Sequence, residues 1–142
     1  MPIIKERKFR VSSIIENLSP SGLIDGDPEK TESTPDGFLK ISDGEILLSY
    51  AENTDGGKVI CDILIKDEEI SVKRRGAVVS DMLFREGYTD KSIYQVLPYS
   101  FDVEVYTKKI RSTMTKDGGR VDIFYRMTIG GADKNVKLRI DA

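Results

Sequence analysis

Residues 121–129 read Val-Asp-Ile-Phe-Tyr-Arg-Met-Thr-Ile, with Val121, Ile123, Tyr125, Met127 and Ile129 at alternate positions. Apolar side chains at every second residue line one face of a β-strand, whereas a helix would scatter them around its circumference. The residues between them are mostly polar, so one face of this strand meets a core and the other meets water.

The same period of two recurs along the chain. Phe101, Val103, Val105 and Thr107 alternate with Asp102, Glu104, Tyr106 and Lys108, and Val136, Leu138 and Ile140 alternate with Lys137, Arg139 and Asp141. Val59, Cys61, Ile63 and Ile65 mark another strand, and Phe9, Val11, Ser13 and Ile15 another near the start. Shorter candidates cover residues 46–51, 70–75, 79–85 and 92–97, and no window supports a helix. Asp55-Gly56-Gly57 and Asp117-Gly118-Gly119 fall between strand patterns, where hairpin turns require positive φ. From Phe38 onward the chain reads as a meander. Residues 19–37, rich in Ser, Pro, Gly, Asp and Thr, read as a long loop with a short polar edge strand over 29–34.

The expected fold is therefore all-β, a single domain over residues 1–142. A β-sandwich and a closed barrel both accommodate the strands. Short meander turns favour a single closed antiparallel barrel of about eight to ten strands, because closure removes exposed edges.

Composition narrows the chemistry. The chain has no histidine and one cysteine, so it has no imidazole base, no Ser-His or Cys-His nucleophile pair and no thiolate zinc site. A net charge of −2 argues against nucleic-acid binding, which needs a clustered cationic excess. The clusters at Lys5, Arg7, Lys8, Arg10 and at Lys73, Arg74, Arg75 alternate with apolar residues like the wet face of strands. No stretch approaches the roughly 18 apolar residues of a membrane helix, and the charged start lacks a signal-peptide core. The expected location is the cytosol, with neither nucleic acid nor membrane as a partner.

Four stretches, read in order, carry a family resemblance: Val72-Lys73-Arg74-Arg75-Gly76, Ser80-Asp81-Met82-Leu83-Phe84-Arg85-Glu86-Gly87, Leu97-Pro98-Tyr99-Ser100, and Val105-Tyr106-Thr107 with the segment from Asp117 to Tyr125. They resemble the motifs of the YwiB-like family, uncharacterised bacterial proteins with a calycin-like (lipocalin-like) β-barrel. Leu97 and Ser100 depart from that family's usual Thr and Gly. The resemblance implies a barrel and a bacterial cytosol, and supplies no activity.

The candidate site lies in the interior. Strand parity puts Arg74 on the face of Ile70 and Val72, where a guanidinium needs a partner and can hold a carboxylate or phosphate head group. Ser80, Tyr94, Tyr99, Thr107 and Tyr125 are the candidate lumen residues that offer hydroxyls to a ligand. Cys61, flanked at i±2 by Val59 and Ile63, reads as a core cysteine. Asp25/Asp27 and Glu68/Glu69 read as solvated turn charges, so no metal or cofactor is expected. The reading is a non-enzymatic binder of a small apolar or amphipathic ligand with an anionic head. An interaction or regulatory module with a filled interior, bound to a protein partner, is the alternative; a histidine-free enzyme is a third. The oligomeric state is not encoded in the pattern.

Overall fold

The computed structural model describes residues 2–142. It contains twelve strands and two six-stranded antiparallel sheets. The strands are β1 (Ile3–Lys8), β2 (Arg10–Asn17), β3 (Glu29–Ser33), β4 (Asp36–Ser42), β5 (Glu45–Thr54), β6 (Gly57–Ile65), β7 (Ile70–Gly76), β8 (Ser80–Phe84), β9 (Thr89–Val96), β10 (Tyr99–Ser112), β11 (Arg120–Ile129) and β12 (Ala132–Asp141). One sheet has the order β1-β4-β5-β6-β7-β8 and the other β3-β2-β12-β11-β10-β9. Among the described residues no helix is long and apolar enough to cross a membrane.

The single closed barrel expected from the meander is not what forms. On one side the sheets are joined by a sharp corner. β1 and β2 are separated only by Phe9, whose amide donates to the Pro35 carbonyl at 2.9 Å, so the chain passes from one sheet to the other there. On the other side, β8 and β9 face each other without a continuous ladder. Val79 and Gln95 exchange one pair of backbone hydrogen bonds, each 2.9 Å, and the Leu83 amide then donates to the Asp90 carboxylate at 2.9 Å. A side chain occupies the place of a strand partner, and the ladder ends. The free outer strands β1 and β3 carry Lys5, Glu6, Arg7, Lys8 and Glu29, Lys30, Glu32, a charge density that discourages edge-to-edge pairing.

Register organises the interior into rows. Across five strands of the first sheet, Leu39, Leu48, Ile63, Val72 and Met82 are successive cross-strand partners, and all are buried. One step along the strands lies the row Ile41, Ile46, Ile65, Ile70 and Phe84. Val103, Val105, Val121, Ile123, Leu138 and Ile140 of the second sheet are buried with them in one core. The outer face of β11 and β12 is knitted by Arg120–Asp141 at 2.6 Å, Arg126–Asp133 at 2.7 Å and Arg139–Asp122 at 2.7 Å. Pairs of this kind set register more than they add stability.

The corner depends on a glycine. Phe9 is 1% exposed and packs on Tyr50 with ring centroids 5.6 Å apart. A Cβ at Gly37 would lie 2.7 Å from Phe9 Cε2 and collide with the Ser49 carbonyl. Gly37→Ala is expected to lower unfolding stability by about 3 kcal/mol through overpacking, read as a fall in the urea midpoint at unchanged slope. An unchanged midpoint would show that the corner relaxes freely.

Candidate functional site

A third row crosses the first sheet beyond the two apolar ones. Gly37, Tyr50, Cys61, Arg74 and Ser80 are successive partners on β4 to β8. Here the interior opens into a cavity of about 510 Å³ between the sheets. That volume lies within the range of roughly 300–1,000 Å³ usual for small-molecule sites. Val72, Met82, Phe84, Met127, Val136 and Leu138 supply apolar wall, while Tyr50, Arg74, Ser80, Tyr94 and Tyr125 supply polar groups. Tyr125 reaches the cavity from the second sheet and packs on Phe84 at 4.8 Å between centroids.

Arg74 dominates the electrostatics. Its neighbours Lys73 and Arg75 point outward, and Arg75 pairs with Asp62 at 3.3 Å, so the Lys73-Arg74-Arg75 run is split between two faces. Among the described residues Arg74 forms no ion pair. Its surroundings are the Cys61 thiol and the hydroxyls of Tyr50, Tyr125 and Tyr94. Burial works against the guanidinium charge, the surrounding thiol and phenols favour it, and Arg74 stays protonated. Burial pushes the Tyr50 hydroxyl far above its ordinary value, with the Cys61 thiol adding to the effect. Burial also raises the Cys61 thiol, against the opposing pull of Tyr50 and Arg74, and it raises the Tyr125 hydroxyl, which Arg74 only partly offsets. At neutral pH Tyr50, Cys61 and Tyr125 are thus uncharged, and they surround the guanidinium without neutralising it.

Of the residues singled out from sequence, Arg74, Ser80, Tyr94 and Tyr125 line this cavity together. Thr107 and Tyr99 do not. Thr107 is fully buried at a packed depth, and its Oγ1 accepts the Arg85 amide at 3.3 Å. Tyr99 is 65% exposed and stacks on Phe101 at 6.4 Å. Sequence reasoning missed Tyr50, Glu52 and Lys134. Tyr50 and Glu52 have the parity of Leu48, which could have flagged them, and Lys134 has that of Val136. Cys61 is buried as expected, but it sits in the polar row beside Arg74.

Two outcomes follow from this geometry. A partly buried charge without a counterion destabilises the fold, so Arg74→Met is expected to raise stability by about 1–2 kcal/mol in the absence of ligand. A lower stability on denaturant titration would mean that the guanidinium is a structural tie. The raised Cys61 pKa has the opposite consequence at alkaline pH. The unfolded thiol ionises near pH ~8.5 while the folded one keeps its proton, so this contribution is complete below that pH and is lost as pH rises. Stability measured between about pH 8 and 9.5 should fall, and Cys61→Ala should flatten the slope; an unaltered slope would remove the thiol as its cause.

The comparisons with known proteins agree with this architecture. A crystal structure of the ywiB protein from Bacillus subtilis superposes with a TM-score of 0.83 over 98% of this chain and 92% of that one, at 27% identity. The curated relative "Uncharacterized beta-barrel protein YwiB" of Bacillus subtilis (strain 168) is 29% identical over 128 residues, 90% of this chain and 85% of its own length. The family model described as a domain of unknown function, DUF1934, matches residues 20–140. The chain accordingly belongs to the DUF1934 family of YwiB-like proteins.

Proposed function

We propose that the protein is a non-enzymatic binding module that holds a small amphipathic ligand between its two sheets, with the ligand's anionic head at Arg74. The observation that carries this reading is an arginine without an acidic partner facing a cavity with largely apolar walls. A planar guanidinium offers two parallel N–H donors to a carboxylate or phosphate, and its charge gains most where water is scarce. Tyr50, Tyr94, Tyr125 and Ser80 supply hydroxyls for the remaining head-group oxygens, while Met82, Met127 and Val136 accommodate an apolar body.

A binding role fits this chemistry better than catalysis. The chain holds no histidine, and the cavity's thiol and the phenols of Tyr50 and Tyr125 have pKa values moved upward, away from the range where a general base works. The alternative, an interaction module with a filled interior, is disfavoured by the open space beside Arg74.

The test is native mass spectrometry of protein purified from its own host under non-denaturing conditions, alongside Arg74→Met. A bound small molecule in the wild type, depleted at least about tenfold in the variant, is the expected result, since a desolvated charge-assisted pair is worth roughly 1.5–3 kcal/mol. The reading fails if the wild type carries no such mass and no amphipathic carboxylate, phosphate or sulfate raises its Tm.

A further inference from the structure

The cavity carries charges of both signs, and their pairing is uneven. Glu32 lies at its rim and is paired with Arg10 at 3.3 Å. Glu52 also lines the cavity, and its Oε1 accepts only a hydrogen bond from Ser33 Oγ at 3.2 Å. Lys134 lines it from the second sheet. Among the described residues Arg74, Lys134 and Glu52 form no ion pair. Two cations against one carboxylate leave a single positive charge that no protein group balances.

Glu52 is also well placed to sense a head group at Arg74. It follows Tyr50 by two residues on the same face of β5, and Tyr50 and Cys61 are the partners that precede Arg74 in the polar row. The Glu52 row, continuing through Val59 to Gly76, is the next one toward the open end. Glu52 thus stands two strands across and one row along from Arg74 on the same cavity wall, a carboxylate with no cation of its own that acts on Tyr50 and Cys61 beside the guanidinium.

We propose that Glu52 sets the charge of the ligand, so that the cavity accepts a monoanionic carboxylate head at Arg74 and rejects a dianionic phosphate monoester. One negative charge balances the unpaired positive charge of the cavity. A second one exceeds that balance and adds to the charge of Glu52 on the same cavity wall, where like charges repel. This inference rests on the reading of the cavity as an anionic-ligand site.

The experiment is calorimetric titration of decanoate and of decyl phosphate into wild type, Glu52→Gln and Arg74→Met. At about pH 8 a phosphate monoester is largely dianionic, and at about pH 5 largely monoanionic. Decanoate is expected to bind wild type at least about tenfold more tightly than decyl phosphate at the higher pH, the scale of one like-charge repulsion across a partly desolvated cavity. Glu52→Gln keeps a group able to accept the Ser33 hydroxyl, and it should close most of that gap by strengthening phosphate binding. Lowering the pH should narrow the gap in the wild type. Equal affinities in the wild type, or a ratio unmoved by Glu52→Gln, would overturn the role of Glu52 while leaving the anion site standing. If neither probe binds, or if Arg74→Met weakens neither, the anion site itself falls and this inference falls with it.

Discussion

Antiparallel register is the constraint from which the rest of the molecule follows. Once β4 to β8 pair in step, each residue is assigned to a row of five that crosses the sheet, and the members of a row enter the interior at one depth. Two such rows are apolar and pack against the second sheet. The third brings Gly37, Tyr50, Cys61, Arg74 and Ser80 together, although they are spread over more than forty positions of the chain. A slip of one residue in the pairing of β7 would turn Arg74 outward and bring Lys73 and Arg75 inward, burying their charges instead. The apolar rows make that slip costly, so the core that stabilises the fold also holds the cavity in place.

The polar row solves a problem of charge. A carboxylate beside Arg74 would satisfy it and leave little attraction for a ligand. Phenols and a thiol donate and accept hydrogen bonds without balancing the charge, and burial keeps Tyr50, Cys61 and Tyr125 protonated. The guanidinium is surrounded by polar groups of the protein but not neutralised. If the cavity binds an anion as proposed, such an arrangement trades stability for binding capacity, as functional sites commonly do.

Much of this was legible in the residue pattern. Alternation identified most strands of both sheets, though not β4, and parity alone was enough to turn Arg74, Ser80, Tyr94 and Tyr125 toward the cavity. Parity reports a face and not a depth, which is why Thr107 proved to be packed and Tyr99 exposed. Tyr50 escaped notice because residues 46–51 are apolar on both parities, and Glu52 and Lys134 because single charges near strand ends look like ordinary solvated groups. The barrel expectation failed at a particular place. Nothing in residues 79–96 announces that the Asp90 carboxylate takes the Leu83 amide, or that backbone pairing between β8 and β9 shrinks to Val79 and Gln95.

The sequence by itself determined the class of fold, the face on which each strand is buried and the absence of imidazole chemistry, because these depend on local alternation and composition. Tertiary structure decided how the strands divide into two sheets, how far each row lies from the open end and which charges are left without partners. Those properties arise from pairings between residues distant along the chain, and no local pattern contains them.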